Sequence, residues 1–199
     1  MKKICVFGAN GKTGLELIRQ AKENNYPIKA AVRRKASLAE YEGNLEIVEY
    51  SFDQPETVLS ALKGCEVAVS VIGTGSYAAA AKPTKLYSES VKILIESLRE
   101  CRIKRLIVVS SAGTEHDENS PWYYRTIFRP WLMNSYMDMM KMETIVEDSN
   151  ELQWTIVRPT YLLDGKSKIY IVKDRKIGTG NFKINRIDLA DFILKECHE

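Results

Sequence analysis

Glycine recurs at every third position in the stretch VFGANGKTG, residues 6–14, as Gly8, Gly11 and Gly14. The chemistry of this spacing comes from what is missing, because a backbone without Cβ atoms can turn tightly and lie directly against a ligand. An apolar run, KICVFG, precedes the triplet, and Leu15, Ile18 and Ala21 follow it at helical spacing. At such a strand-to-helix turn the free N–H groups of the first helical turn and the positive end of the helix dipole face whatever lies above. A pyrophosphate suits that place. Gly8 permits the turn, Gly11 admits phosphate oxygens and Gly14 lets helix and strand pack closely, while Asn10, Lys12 and Thr13 add hydrogen bonds or charge. A further strand begins at Ile28, completing the context of a dinucleotide site. A P-loop is excluded, because Gly11-Lys12-Thr13 comes only three residues after Gly8 and runs straight into Gly14.

The second strand bears on which dinucleotide. An NAD site usually carries Asp or Glu about 20 residues past the glycines for the ribose 2′-hydroxyl, whereas a 2′-phosphate calls for arginine. This chain offers AVRRKAS, with Arg33 and Arg34 beside Lys35 and Ser37 and no carboxylate along the chain until Glu40. NADP(H) is therefore expected over NAD(H). Asp53, in YSFDQPETV, reads either as an acceptor for the adenine amino group or as a cap or turn residue before a helix beginning near Pro55. SVIGTG, residues 70–75, ends a fourth strand at the edge where ligands lie in open α/β sheets, so Ile72, Gly73 and Thr74 are expected against the cofactor. Ser110, Pro159 and Thr160, at the ends of two later apolar runs, are further expected cofactor contacts.

The elements that must position these residues are visible as alternation. Apolar runs at 3–8, 28–33, 45–50, 66–73, 105–111 and 153–159 are separated by segments of helical spacing, such as Leu86, Ser90, Ile93, Leu94 and Leu98. This predicts an α/β fold, a Rossmann-like doubly wound parallel sheet with helices on both faces. The runs are apolar on consecutive residues, as strands covered on both faces require. Short strand pieces and turns are expected from Gly165 to Ile184, with a last helix from about Asp188. The 199 residues, 45% of them hydrophobic, suit a single domain spanning 1–199, with a lid and helix region at 112–150 and a small C-terminal part at 160–199. A net charge of +3 gives no field that would suggest nucleic acid. Cys5, Cys65, Cys101 and Cys197 stand far apart without histidine neighbours, which argues against a metal site and for reduced cysteines in a cytoplasmic protein. No run is long enough for a signal-peptide core or a membrane span.

Taken together, GANGKTG, AVRR, FDQPETVLSALKGCEVAVSVIG, RLIVVSSAG, WTIVRPTYLLDG and NRIDLADFIL resemble the atypical short-chain dehydrogenase/reductase group. Within it they resemble the small NAD(P)H-binding proteins around NmrA-like proteins and biliverdin-IXβ (flavin) reductase. The resemblance implies a domain that binds NADPH and, in the reductase members, passes hydride to a flat conjugated acceptor such as a flavin or tetrapyrrole. It also implies that Ser111, at the serine closing the fifth strand, orients a substrate carbonyl or the nicotinamide amide; a strand-end serine bonding the backbone is the plain alternative. Tyr161 matches a histidine of the biliverdin-type reductases, which implies a site residue that donates a hydrogen bond or stacks, although a neutral tyrosine is a poor proton source beside histidine. The superfamily's usual Tyr-x-x-x-Lys pair is absent, since Met140 stands four residues after Tyr136 and Lys141 one further on.

The segment 121–136 carries Trp122, Tyr123, Tyr124, Phe128, Trp131 and Tyr136, with Arg125 and Arg129 one helical turn apart. It reads as an apolar, cation-bearing lid for a planar anionic molecule, or as a helix packed on a partner or on the core. The methionines around it read as an adaptable wall. His116, in an acidic loop, and His198, near the chain end, read as non-catalytic. Two functions fit: an NADPH-dependent reductase of a flavin, quinone or similar acceptor, and a non-catalytic NADP(H)-binding sensor of NmrA-like type. The protein is expected as a monomer or homodimer.

Overall fold

The computed structural model describes residues 1–41, 43, 45–115, 120–167, 169–174 and 182–198; His116 lies outside them. Six parallel strands form one sheet: β1 (Ile4–Phe7), β2 (Ile28–Val32), β3 (Glu46–Glu49), β4 (Val67–Ser70), β5 (Arg105–Val109) and β6 (Gln153–Val157), in the order β3-β2-β1-β4-β5-β6. This is the doubly wound, Rossmann-like arrangement expected from the alternation. The order reverses between β1 and β4, and the two halves of such a sheet leave a crevice beyond the strand ends at that switch point.

Strand periodicity divides the core between two faces. Ile4 and Val6 of β1 point to one side with Val67, Val69 and Ile107, while Cys5 and Phe7 point to the other with Ala68, Leu106 and Val108. The first face is covered by α1 (Lys12–Glu23) and the C-terminal helix, which begins at Arg186, slightly before the expected Asp188. Leu17, Ile18 and Ala21 of α1 pack with Leu189 and Ile193, and the Gln20 amide donates to the Ile187 carbonyl at 2.8 Å. The second face is covered by α2 (Pro55–Leu62), α4 (Leu86–Glu100) and α6 (Met133–Glu147); the short α3 (Tyr77–Ala80) and α5 (Arg129–Trp131) precede the latter two. Fully burying each Leu, Ile or Val contributes roughly 1.5–3 kcal/mol, so the two apolar layers are the main force holding helices to sheet.

α4 lacks a side-chain cap of its own at Lys85. Asp138 of α6 supplies it: its buried carboxylate accepts the Tyr87 N–H at 2.8 Å and the Ser88 hydroxyl at 2.5 Å. The small C-terminal part holds β7 (Tyr161–Leu163) paired in parallel with β8 (Lys183–Asn185), then α7 (Arg186–His198). His198 stacks on Tyr26 with ring centroids 4.3 Å apart, and burial lowers its pKa. Among the described residues no helix is long and apolar enough to cross a membrane.

Candidate cofactor and active site

Every residue expected at the site except Lys12, Thr13 and Gly14, which open α1, and Tyr161, which opens β7, stands on a segment that follows the carboxyl end of a sheet strand. Gly8 has φ +80, and a Cβ there would come 3.0 Å from the Val71 carbonyl oxygen. At Gly14 a Cβ would stand 2.6 Å from both the Ala9 Cα and the Gly8 oxygen, so only glycine lets α1 begin this close to β1. Gly11 differs. Its φ is −75, and a Cβ would meet only the Gly8 oxygen at 3.3 Å. The protein's own packing therefore asks less of position 11 than of Gly8 or Gly14, a shift of a few tenths of an ångström at the Gly8 carbonyl, and the bare backbone leaves the space above the turn open. No side chain caps α1 and its first turn carries no acid, so the Lys12, Thr13 and Gly14 amides, which have no intrahelical partner, face the switch point. An uncapped helix start over an unfilled cradle fits a dinucleotide pyrophosphate.

Arg33 and Arg34 follow β2, are exposed, and have no ion pair among the described residues. Along the chain the next carboxylate is Glu40, but the parallel register sets Glu49 of β3 opposite Val32, and its carboxylate accepts the Lys35 N–H at 2.6 Å. That acid therefore anchors the basic turn, a role invisible without the register. Tyr50 packs edge-on against Phe7 and lies on the Gly8 backbone; burial pushes its phenol up to about 12. Asp53 is exposed and stands in the turn before α2, whose cap position is Gln54, ahead of Pro55; among the described residues its carboxylate has no hydrogen-bond partner. Past β4, Ile72 and Thr74 are half-buried and Gly73 is exposed. The Thr74 hydroxyl donates to the Ser76 carbonyl at 3.3 Å and also meets the Tyr87 phenol.

The β5 edge carries the most connected chemistry. Ser111 caps a short 3₁₀ turn, its hydroxyl oxygen accepting the Gly113 N–H at 3.1 Å. The same hydroxyl reaches the Tyr136 phenol, which in turn lies 3.0 Å from the Tyr124 phenol. Burial, reinforced by Tyr124, pushes the Tyr136 pKa well above the usual tyrosine value, with Ser111 and Arg129 pulling weakly the other way. Tyr136 is thus a neutral hydrogen-bonding phenol. The chain depends on Gly113, where a Cβ would fall 2.3 Å from the Tyr136 ring and 2.5 Å from the Tyr124 oxygen. Sequence reading missed Gly113 because nothing in SSAG shows what lies above it.

Ser110, expected on the cofactor, is buried, and its hydroxyl donates to Glu143 at 2.5 Å. The Glu143 carboxylate also takes two bonds from Arg158, at 3.0 and 2.8 Å, so the hydroxyl is used inside the protein to lock the ends of β5 and β6 to α6. The Pro159 carbonyl accepts the Ala112 N–H at 2.9 Å, and Thr160 is half-buried. Tyr161, 54% exposed, meets the Tyr77 phenol across the cleft, and this contact is the main cause raising the Tyr77 pKa. Lys12 is tied to Asp164 at 2.6 Å, and Asp164 also takes Arg186 at 2.5 Å; the Lys12 bond, then the Arg186 bond, lower the Asp164 pKa.

The expected six-ring lid divides. Tyr124 and Tyr136 turn inward, whereas Trp122, Tyr123, Phe128 and Trp131 are 47–67% exposed, because a helical segment can present only one face to the site. Its π-helical turn, Tyr124–Phe128, has a local cause. Pro130 has no N–H to give the Thr126 carbonyl, and the Arg129 N–H reaches back to the Tyr124 carbonyl.

A family model described as NAD(P)H-binding matches residues 8–199. The chain belongs to this NAD(P)H-binding family. Membership agrees with the resemblance to the atypical short-chain dehydrogenase/reductase group and its NmrA-like kin. A relative from Bacillus subtilis named as the uncharacterized sugar epimerase YhfK is 27% identical over 202 aligned residues, covering 99% of this chain and 88% of that protein. Among solved structures, a short-chain dehydrogenase/reductase of Veillonella parvula in complex with NADP superposes with a TM-score of 0.76 at 20% identity, covering 99% of this chain and 87% of the other. The anaerobillin reductase ChuY of Escherichia coli O157:H7 superposes with a TM-score of 0.74 at 19% identity, covering 97% and 89%. At these identities the two structures speak for the fold.

Proposed function

We propose that this NAD(P)H-binding protein is an NADPH-dependent reductase that delivers hydride to a flat conjugated acceptor, a flavin, quinone or similar molecule. The observation that carries the reading is the pairing of an open dinucleotide cradle with an active-site edge whose buried Tyr136 phenol is kept protonated and has no lysine partner among the described residues. The Gly8–Gly14 turn, with Asn10, Gly11, Lys12 and Thr13, would hold the pyrophosphate, Arg33 and Arg34 the 2′-phosphate, and Asp53 the adenine amino group. Ile72, Gly73, Thr74, Pro159 and Thr160 would line the ribose and nicotinamide. When bound, NADPH supplies the hydride. Ser111 would orient the nicotinamide amide or an acceptor carbonyl, held in place by the Gly113 amide and Tyr136. Tyr161 would donate a hydrogen bond to the acceptor from the open side of the cleft. A phenol held protonated cannot act as the base of ordinary alcohol oxidation at neutral pH, which suits acceptors whose own conjugation takes up the charge.

The NADP complex of the Veillonella parvula protein and the reductase name of ChuY support this reading by fold alone. The epimerase name of YhfK is not carried over, because sugar-nucleotide epimerases resembling this branch keep the Tyr–Lys pair, and here Met140 stands where the lysine would follow Tyr136. One observation favours the sensor reading, the outward face of Trp122, Ile127, Phe128 and Trp131, which a protein partner would cover. The test is titration with NADPH and NADH, then anaerobic mixing of the loaded protein with FMN, a quinone and a linear tetrapyrrole while nicotinamide absorbance is followed. Acceptor-dependent oxidation supports the reductase. Tight binding without oxidation by any acceptor favours the sensor.

A further inference from the structure

Arg125 and Arg129 are each half-buried, and the Nε of each is sealed from solvent without a hydrogen-bond partner. Neither has an ion pair among the described residues. The other half-buried arginines among the described residues are all paired: Arg105 with Glu196 at 3.1 Å, Arg158 with Glu143 at 2.8 Å and Arg186 with Asp164 at 2.5 Å. A guanidinium cannot shed its proton to escape such burial, and an unmade bond to a charged donor costs more than one to a neutral group. Arg125 follows Tyr124 in the chain, the Tyr124 phenol lies 3.0 Å from that of Tyr136, and the positive charge of Arg129 acts on the Tyr136 phenol. Arg129 thus acts beside the phenol pair that lies over Gly113 at the β5 edge, with Arg125 one turn before it on the same helical segment.

We infer that Arg125 and Arg129 form an oxyanion site for the acid group of the acceptor, so that the substrates are flat conjugated molecules carrying a phosphate or carboxylate. The inference rests on the reductase reading for its word acceptor, but the anion site stands or falls by binding. Two guanidiniums one turn apart match an oxyanion with parallel N–H donors, which a neutral ring tail leaves unsatisfied. Selectivity for acid-bearing over neutral analogues follows.

The experiment compares pairs that share a ring and differ in the acid: FMN against riboflavin for phosphate, and anthraquinone-2-carboxylate against its methyl ester for carboxylate. Affinity for the NADPH-loaded protein is read from quenching of Trp122 and Trp131 fluorescence, and kcat/KM from NADPH oxidation. The acid-bearing member is expected to bind about 10-fold or more tightly, as loss of charge-assisted bonds implies. Arg125→Gln with Arg129→Gln should bring that ratio close to one while NADPH affinity and the circular dichroism spectrum stay as in the parent. Arg125→Lys with Arg129→Lys should keep part of it. Equal binding of both members in both pairs, or a ratio that survives the glutamine variant, overturns the site. A preference in one pair only assigns phosphate or carboxylate as the acid. If the acid-bearing members bind preferentially but no acceptor oxidises NADPH, the reductase reading fails and the anion site stands.

Discussion

Replacing Arg33 and Arg34 with alanine should cost NADPH affinity selectively. Both side chains are exposed and without ion pairs among the described residues, so their removal leaves no orphaned partner and no cavity in the fold. A 2′-phosphate carries about −1.5 to −2 charge, by analogy with other phosphomonoesters. Each charge-assisted guanidinium–phosphate bond contributes about 1.5–3 kcal/mol in a favourable site. Solvent screening on this open turn puts the pair near the low end, roughly 2–4 kcal/mol together. That is about a 30- to 1,000-fold rise in Kd for NADPH. NADH, with a hydroxyl in place of the phosphate, should shift by less than about 3-fold, since it loses only a distant charge. Calorimetric titration of both nucleotides at low and high salt reads this directly. The parent's preference should shrink as the Debye length falls from about 10 Å at 0.1 M to about 3 Å at 1 M. A parallel loss for both nucleotides would show that the arginines shape the turn rather than read the phosphate. Unchanged NADPH affinity would remove the argument for NADPH altogether.

The glycines separate binding from folding. Gly11→Ala, whose Cβ would meet only the Gly8 carbonyl at 3.3 Å, should lose NADPH affinity at a smaller cost in melting temperature than Gly14→Ala, whose Cβ would stand 2.6 Å from backbone atoms; thermal melts and nucleotide titration distinguish them. Gly113→Ala forces the buried Tyr136 ring aside and should cost about 1–3 kcal/mol, read as a lower melting temperature, with weakened acceptor turnover. Glu143→Ala strands Arg158 and the Ser110 hydroxyl; because Arg158 is partly exposed and Glu115 and Glu147 lie near it, the loss should fall below the roughly 3–5 kcal/mol of a sealed pair, measured by urea unfolding. For Tyr50 burial holds the folded pKa at about 12, above the ordinary tyrosine value of 10.0, so its contribution is whole below pH 10 and is lost as pH rises toward 12. The two-unit shift caps this at about 2.7 kcal/mol. Tyr50→Phe should flatten that part of the alkaline stability curve.

Strands, helices and the glycine turn could be read from sequence because their causes are local. A strand covered on both faces must be apolar at consecutive residues, and a helix start that must meet a strand closely must be glycine there, as Gly14 shows. The same locality made Arg33 and Arg34 visible as unopposed charge. What escaped depends on pairs far apart in the chain. Glu49 reaches the Lys35 amide only through the β2–β3 register, Asp138 caps α4 from another helix, and Lys12 meets Asp164 across 152 positions. For Asp53 the sequence does not separate ligand contact from a cap or turn role, because these roles favour the same residue type; the backbone gives the cap to Gln54 and sets Asp53 in the turn before it.

The missing Tyr–Lys pair takes on a different meaning once Tyr136 is placed. In sequence it is an absence, and an absence alone separates no enzyme from a binding protein. In the fold the phenol is buried, 3.0 Å from the Tyr124 phenol, near Ser111, and kept protonated, while Glu143, two residues past Lys141, is held by Arg158 and Ser110. The helix that would carry an acid/base pair carries instead a rigid support for Ser111. A rigid, neutral, hydrogen-bonding floor suits chemistry in which the nucleotide and the acceptor do the electron transfer and the protein fixes their approach. On that reading, Tyr136→Phe should weaken turnover by disturbing Ser111 without moving a pKa in the neutral pH–rate profile. A new or vanished neutral titration in that variant would mean that the phenol transfers a proton after all.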